Sequence, residues 1–406
     1  MVFEVMVGNM ACATGAKLCR VQVATAFPVT PQTTITEYMS QFVANGELDC
    51  EFVNVEGELS SQVVVQAASR VGVRTFCCCS GPGQLYMHHP MHGASSSRLP
   101  VVMATVHRGN RGMQPDHTDT MSQMWTGWMQ WECENSQEIL DTCIMAYKVA
   151  EDRRVLMPIL FGYDGYILSY TAEPVEVPDQ EDVDDFLPPY KPVSTNLPEH
   201  YNIEAIRRAQ AAPQRGGGMA ARRDPQASWR MSHELMLGAK EVIKEVNEEF
   251  GKRFGRKYGN GLVEEYKCED AEAIIVAMGT IASTARAAID KLWEEGKPVG
   301  LVKLKCFLPF PNEDFQRISK NVPAIGMIDR NICVGCGGMV FSGIRNALYD
   351  LDDRPKVLGF HAGMSGAEVM VADIMNVGEK TLNVARGGKA EPLVEWVFGG
   401  GGEEEE

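Results

Sequence analysis

Residues 24–60 read ATAFPVTPQTTITEYMSQFVANGELDCEFVNVEGELS and combine a proline-bracketed turn, a helical segment and a short strand. Pro28 and Pro31 flank Val-Thr in the turn, and proline restricts its own φ and the conformation of the residue before it. We therefore expect a rigid turn that presents the Thr30 hydroxyl to whatever lies above it. Glu58 follows the strand and opens the next helix. A carboxylate there either complements the helix dipole or faces a ligand.

Strands and helices alternate along the amino-terminal part of the chain. The apolar runs at 50–55, 74–79 and 99–106 are separated by segments in which apolar residues recur at helical spacing. Such alternation predicts a parallel sheet with helices on both faces. Ligands of these sheets bind at the carboxyl ends of the strands, where the sequence places a Gly/Pro loop at 80–84 and Arg108.

A second α/β unit begins near residue 271, after a stretch at 173–228 that is rich in Pro, Asp, Gln and Gly. That composition is typical of an extended linker or arm that crosses other surfaces. We divide the chain into four predicted segments. They are a first α/β domain at 1–175, a linker or arm with a helix at 176–260, a second α/β domain at 261–380, and a tail at 381–406 that ends in four glutamates.

The composition excludes several classes of protein. The 406 residues carry a formal net charge of −16 and are 45% hydrophobic, which is ordinary for a globular protein. The acidic balance argues against a nucleic acid or an anionic membrane surface as partner. No run approaches 18 apolar residues and the amino terminus lacks a signal pattern, so we expect a cytoplasmic protein that contacts no membrane.

The twelve cysteines, without a secretion signal, indicate a reducing compartment. Cys77, Cys78 and Cys79 lie in an apolar run and are typical of small buried strand residues. Cys333 and Cys336 form the only CxxC pair, and a zinc or iron–sulfur site is weakly supported without a second pair or a nearby histidine. We expect this chain to ligate no metal, and the role of the pair stays open.

Eight segments together resemble the alpha subunit of 2-oxoacid:ferredoxin oxidoreductases of the pyruvate synthase type. They are GAKLCRVQVATAFPVTPQTTITEYMSQFVANGEL at 15–48, VNVEGELS at 53–60, RLPVVMATVHR at 98–108, DHTD at 116–119, TGWMQWECENSQEILD at 126–141, YDGYILSY at 163–170, EEFGKRFGRKYGNGLVEEY at 248–266 and DRNICVGCGG at 329–338. The resemblance spans roughly residues 5 to 375 and is poorest at 176–228 and in the tail. It implies a thiamine-diphosphate-binding domain of the pyrimidine type with a parallel sheet, followed by an α/β domain like the carboxyl-terminal domain of transketolase.

The resemblance also implies a reaction and a set of partners. This family oxidatively decarboxylates a 2-oxoacid to an acyl-CoA and CO₂, using thiamine diphosphate and CoA, and electrons pass through iron–sulfur clusters to ferredoxin or a similar acceptor. Beta-, gamma- and delta-type subunits would complete the complex, with Mg²⁺ and the clusters on those partners. No GDG…N signature for pyrophosphate and magnesium occurs in this sequence, so the chain is expected to supply half of an active site.

Four site residues are carried over from the family pattern. The match of VEGELS implies that Glu58 hydrogen-bonds the pyrimidine ring of the cofactor and promotes its imino tautomer. Glu56 is the alternative, because two residues that are two positions apart on a strand share a face and spacing alone does not choose between them. Thr30 is implied to contact the 2-oxoacid and Arg108 to bind its carboxylate, while Pro28 in the same turn is a predicted cofactor contact.

Three departures from the family pattern predict an enlarged substrate pocket. Phe27 replaces a common tyrosine, His107 replaces a common asparagine, and the loop after Arg108 is short and rich in glycine. We therefore expect a 2-oxoacid bulkier than pyruvate, with phenylglyoxylate as one candidate. Two other functions stay open at this point: the beta chain of a lipoyl-linked 2-oxoacid dehydrogenase, and a noncatalytic scaffold subunit.

Overall fold

The computed structural model describes residues 2–192 and 226–397. The strands in these residues are β1 Val2–Val7, β2 Val23–Ala26, β3 Glu51–Asn54, β4 Thr75–Cys79, β5 Val102–His107, β6 Met129–Glu132, β7 Ile159–Asp164, β8 Ala172–Val177, β9 Val263–Tyr266, β10 Ala273–Ala277, β11 Val299–Leu304, β12 Cys306–Leu308, β13 Ala324–Asp329, β14 Lys356–His361 and β15 Val394–Trp396.

The helices of the same residues connect these strands. They are α1 Gly8–Leu18, α2 Thr33–Ala44, α3 Glu58–Arg70, α4 Gly81–Tyr86, α5 His88–Ser96, α6 Thr118–Met121, α7 Ser136–Glu151, α8 Gln180–Phe186, α9 Ala227–Phe254, α10 Thr280–Glu294, α11 Asn312–Ile318, α12 Met339–Leu348 and α13 Val371–Ala385. Within the described part of the chain, no helix combines the length and the apolar character needed to cross a lipid bilayer.

Six strands of the amino-terminal half, together with β12 from the carboxyl-terminal part, form a seven-stranded sheet in the order β12-β6-β7-β5-β4-β2-β3. Every neighbouring pair is parallel except β12 with β6. The central strands β4 and β5 are buried along their whole length, as expected of parallel strands covered by helices on both faces. The predicted parallel sheet is confirmed, and so is the burial of Cys77, Cys78 and Cys79 in β4.

The carboxyl-terminal part forms a second sheet in the order β15-β14-β13-β10-β11-β9. Its pairs are parallel except for β9, which runs antiparallel to β11. The strands β10, β11 and β13 are fully buried, and they pack between α10 and α13 on one face and α11 and α12 on the other. This is the second α/β unit that the sequence predicts.

The predicted arm at 173–228 begins with regular structure. Strand β8 pairs antiparallel with β1, and α8 buries Val183 and Phe186. These two apolar residues are three positions apart within the acidic run QEDVDDF, so they lie on the same face of the helix. The predominance of acidic residues in the run makes this apolar face hard to recognise from sequence. The remainder of the expected arm, 193–225, lies outside the described residues, and the four segment boundaries stay predictions.

A buried ion-pair cluster joins helix α7 of the amino-terminal half to strand β11 of the second sheet. Glu138 on α7 accepts hydrogen bonds from the Lys303 Nζ at 2.8 Å and the Lys305 Nζ at 2.7 Å, and all three side chains are buried. Burial by itself would raise the pKa of Glu138, but the two ammonium groups outweigh it and lower that pKa. The Glu138 carboxylate is therefore charged, and Lys303 has a second carboxylate partner, Glu134, at 2.7 Å.

We expect Glu138→Ala to lower the free energy of unfolding by about 3–5 kcal/mol, because it leaves the buried Lys305 ammonium without its carboxylate partner, although Lys303 keeps Glu134. Urea unfolding monitored by far-ultraviolet circular dichroism measures the loss. Glu245→Gln is the matched control, since Glu245 pairs with Arg154 at the surface and exposed pairs contribute at most about 1 kcal/mol. Equal losses in the two variants would contradict the proposed importance of the buried cluster.

Candidate active site

The predicted site residues follow neighbouring strands at one edge of the seven-stranded sheet. Thr30 follows β2, Glu58 follows β3 and Arg108 follows β5. Residues 80–83, called the 80–83 turn, follow β4 and form the first turn of α4, so the prediction of a loop at 80–84 is wrong. The chain runs from β2 outward to β3 and then returns to β4 on the other side of β2. Ligands of open α/β sheets bind at such a reversal of strand order, beyond the carboxyl ends of the strands.

Glu58 is the first residue of α3, and its half-buried side chain lies against Gly83 and Cys79. A side-chain carbon at Gly83 would overlap the Glu58 Oε1 atom, so the glycine provides the space that this carboxylate occupies. No hydrogen-bond partner of the Glu58 carboxylate is found within residues 2–192 and 226–397. The carboxylate is thus held close to the 80–83 turn with its acceptor positions open.

Glu56 has a different environment. Its side chain is exposed and accepts a hydrogen bond from the Ser60 hydroxyl. Because α3 begins at Glu58, the two carboxylates do not share the face of a strand, contrary to the possibility that the spacing left open. The structure therefore separates the two candidates: Glu58 lies against the 80–83 turn, and Glu56 faces solvent.

The structure brings Arg108 and Thr30 together. The Arg108 Nη1 donates to the Thr30 carbonyl oxygen at 3.1 Å, and its Nε donates to the Gly112 carbonyl oxygen at 3.3 Å. Gly81 has a φ of +46°, and a side chain there would meet the Gly109 carbonyl and pack on Arg108. The glycine therefore lets the 80–83 turn approach Arg108, and Thr30, which is exposed as Pro28 is, lies beside the same guanidinium.

Asn9 anchors the turn that contains Thr30, a role that the sequence did not reveal. Its Nδ2 donates to the Pro31 carbonyl oxygen at 2.8 Å and to the Thr34 hydroxyl at 2.7 Å, while its Oδ1 accepts from the Tyr163 hydroxyl at 2.7 Å. In the sequence, Asn9 is visible only as part of the start of α1. Its partners lie 22 or more positions away, so no local pattern indicates them.

His107 is buried between two carboxylates. Its Nδ1 lies 2.8 Å from the Asp119 Oδ1, and its Nε2 lies 2.8 Å from the Glu132 Oε2. Burial disfavours the charged imidazolium, but Glu132 and Asp119 outweigh it and hold the pKa of His107 well above its ordinary value. The prediction that His107 widens the substrate pocket is wrong, because its ring is enclosed between these carboxylates.

A group of possible metal ligands lies at the same place. Donor atoms of His107, His117 and Glu132 lie within 4.8 Å of one another, and they are the one such group in the described part of the chain. Both ring nitrogens of His107 are occupied by carboxylates, and His117 Nε2 contacts the Asp164 carboxylate at 3.1 Å. We interpret the group as a series of histidine–carboxylate contacts, and the expectation that the protein ligates no metal stays a prediction.

Cys333 and Cys336 lie in a tight turn after β13, where the Cys336 N–H donates to the Cys333 carbonyl oxygen at 2.8 Å. Both thiols are exposed. The hydrogen bond between the two side chains raises the pKa of Cys333. Across residues 2–192 and 226–397 these two thiols are not part of a group of three metal-ligating side chains.

Comparisons with known proteins assign a family to both halves of the chain. The family described as "Pyruvate flavodoxin/ferredoxin oxidoreductase, thiamine diP-bdg" matches residues 14–236, and that described as "Pyruvate:ferredoxin oxidoreductase core domain II" matches residues 271–374. The solved structure of 2-oxoglutarate:ferredoxin oxidoreductase from Magnetococcus marinus superposes with a TM-score of 0.65 at 17% identity. That alignment covers 94% of this chain and 65% of the other, and it supports the predicted fold class.

Two curated relatives match nearly the whole chain. Pyruvate synthase subunit PorA of Pyrococcus furiosus is 41% identical over 403 residues, which are 97% of each protein. Ketoisovalerate oxidoreductase subunit VorA of Pyrococcus horikoshii is 40% identical over 402 residues, again 97% of each. These full-length matches favour the ferredoxin-linked enzymes over the lipoyl-linked alternative. The chain belongs to the pyruvate:ferredoxin oxidoreductase family and is an alpha-type subunit of a 2-oxoacid:ferredoxin oxidoreductase.

Proposed function

We propose that this chain binds and orients a 2-oxoacid and thiamine diphosphate in an enzyme that oxidatively decarboxylates the acid to an acyl-CoA and CO₂. Glu58 and Arg108 both lie against the 80–83 turn and Thr30 lies beside Arg108, and this arrangement supports the proposal. The enzyme is a cytoplasmic complex with beta-, gamma- and delta-type subunits. Those partners hold Mg²⁺ and the iron–sulfur clusters, and ferredoxin or a similar protein accepts the electrons.

The residues present fit thiamine diphosphate. A half-buried carboxylate with open acceptor positions, seated in space that a glycine leaves free, suits a hydrogen-bond donor on a flat heterocycle. The pyrimidine ring of thiamine diphosphate offers such a donor once its ring nitrogen carries a proton. When bound, the cofactor supplies the electron sink for loss of CO₂.

Each of the three side chains then has a distinct task. The Glu58 carboxylate holds the proton at the pyrimidine ring nitrogen, where a charge-assisted hydrogen bond is strong. Arg108 presents a planar guanidinium whose Nη2 has no partner within the described residues, and this geometry suits the substrate carboxylate. The Thr30 hydroxyl, which also lacks a partner there, donates to the 2-oxo group.

We further propose that the substrate is bulkier than pyruvate. Of the three sequence features that suggest it, two remain: Phe27, which is half-buried at the end of β2, and the short glycine-rich segment 109–112 beside Arg108. The names of the relatives differ in substrate, pyruvate for one and ketoisovalerate for another, so family membership does not decide it. Branched-chain 2-oxoacids and phenylglyoxylate are the candidates.

The test is a purification of the native complex through this chain, followed by iron and thiamine analysis and dye-reduction assays. Pyruvate, 2-oxobutyrate, 2-oxoisovalerate and phenylglyoxylate are each supplied with CoA. We expect a complex that contains iron and thiamine, with kcat/KM at least about tenfold higher for a branched or aromatic acid, as one or two buried methylene groups can produce. Pyruvate as the best substrate would refute the larger pocket. An inactive preparation without iron or thiamine would leave only the scaffold role.

A further inference from the structure

Asp119, the last residue of the DHTD segment, connects two loops of the candidate site. Its Oδ2 accepts hydrogen bonds from the Gly81 N–H at 3.1 Å and from the Arg108 N–H at 3.2 Å. Its Oδ1 lies 2.8 Å from the His107 Nδ1 and accepts from the Thr120 N–H, also at 2.8 Å. One fully buried carboxylate therefore holds Gly81, two residues beyond β4, and Arg108, the residue that follows β5.

These contacts occur where the sheet no longer controls the backbone. The ladder between β4 and β5 ends at the pair Cys79 and Thr105, so neither Gly81 nor Arg108 is held by strand pairing across it. Gly81 has a φ of +46° and Gly109 has a φ of +70°, so the chain turns sharply at both places. The Asp119 carboxylate is the group that fixes the separation of the two amides.

The carboxylate is kept charged by its surroundings. Burial alone would raise the pKa of Asp119, but His107 outweighs it, so that pKa is lowered. His107 is in turn paired with Glu132, whose carboxylate contacts the same ring without touching either loop. Asp119 and Glu132 thus both support one imidazolium, and of the two Asp119 is the one that hydrogen-bonds Gly81 and Arg108.

We propose that Asp119 is a positioning residue for the reaction, which sets the spacing between the 80–83 turn, against which Glu58 lies, and Arg108. The proposal rests on the proposed function, in which Arg108 binds the substrate carboxylate. In Asp119→Asn the amide oxygen faces the Thr120 N–H and His107, which Glu132 keeps protonated, so the N–H₂ group faces the Gly81 and Arg108 amides, which are themselves donors. The loops then separate, and the guanidinium loses its placement.

The experiment compares Asp119→Asn with Glu132→Gln in the assembled complex. Each variant removes one carboxylate from His107, so we expect similar drops in thermal midpoint. For Asp119→Asn we expect KM for the best 2-oxoacid to rise at least about tenfold, while kcat changes less than about threefold, because binding of the substrate carboxylate is affected more than chemistry. For Glu132→Gln we expect KM to change less than about threefold. Equal KM changes in the two variants, or an unchanged KM in Asp119→Asn, would overturn the proposal.

A double-mutant cycle separates positioning of Arg108 from general damage. If Asp119 acts through Arg108, Asp119→Asn adds little to the KM of an Arg108→Met complex, and the two effects are strongly non-additive. Additive effects would show that Asp119 does not act through this side chain. Thermal midpoints of all four proteins are measured alongside the kinetics.

Hydrogen exchange of the wild-type chain provides a second measurement that needs no variant. The Gly81 and Arg108 amides should exchange at least about 100-fold more slowly than those of Arg111 and Gly112 in the same loop region. Fast exchange at Gly81 and Arg108 would overturn the proposal even if Asp119→Asn failed to fold. A wild-type complex inactive toward every 2-oxoacid would count against the proposed function, while the exchange result would still decide whether Asp119 holds the loops.

Discussion

Glu58→Gln should lower kcat of the assembled complex by about 10²–10⁴-fold, the range expected when a positioned proton-transfer group is removed. Glutamine keeps the shape of the side chain and its place beside Gly83, but it has no charge with which to hold a proton at the pyrimidine ring nitrogen. The measurement is steady-state dye reduction with the best 2-oxoacid and CoA, with bound thiamine quantified in the same samples. Retained cofactor with lost turnover assigns the effect to chemistry.

Glu56→Gln is the matched control. Glu56 lies two residues before Glu58, is exposed and is hydrogen-bonded to Ser60. We therefore expect kcat of this variant to stay within about twofold of the wild type, as for surface substitutions in general. A second check comes from Gly83→Ala, whose methyl group would displace the Glu58 carboxylate and should lower kcat in the same direction. Equal losses in Glu56→Gln and Glu58→Gln, or full activity in Glu58→Gln, would contradict the assignment.

Arg108→Met should raise KM for the 2-oxoacid by about 100-fold or more. Hydrogen bonds to charged groups contribute about 1.5–3 kcal/mol each, and about 1.4 kcal/mol corresponds to a factor of ten. Loss of a pair of such bonds to the substrate carboxylate therefore affects binding first. Initial rates over a wide range of 2-oxoacid concentration, with CoA held saturating, measure the change.

Arg111→Met controls for the loss of a positive charge in the same loop. Arg111 is exposed three residues further along, and within the described residues it makes no hydrogen bond with Thr30 or Gly81. We expect its KM to stay within about threefold of the wild type, because exposed charges act weakly at a distance in salt. A comparable rise in both variants would mean that the loop acts by net charge and that Arg108 has no special contact with substrate.

Much of the fold follows from local sequence pattern. The alternation of apolar runs and helical spacing predicts the parallel sheet, and the position of Arg108 after an apolar run places it at the ligand edge. Local pattern also predicts that Thr30 is exposed, since its turn is bracketed by Pro28 and Pro31. The structure confirms these placements, while the roles of the residues stay predictions.

Contacts between distant segments could not be predicted in this way. His107 is predicted to widen the pocket because it replaces a common asparagine of the family pattern, yet its ring is turned inward because Asp119 and Glu132, 12 and 25 positions away, supply compensating carboxylates. The choice between Glu56 and Glu58 depended on where α3 begins. Likewise, the acidic composition of residues 180–186 predicts part of an arm, although two apolar residues share one face of α8 and are buried.

The most direct test of the thiamine site is a structure of the assembled complex with thiamine diphosphate bound. The distance to measure is that from the Glu58 carboxylate oxygens to the pyrimidine ring nitrogen. We predict a hydrogen bond of about 2.6–3.2 Å, with Arg108 and Thr30 facing the reactive end of the cofactor. A pyrimidine ring held by Glu56, or by a carboxylate of another subunit with Glu58 out of reach, would contradict the proposed site.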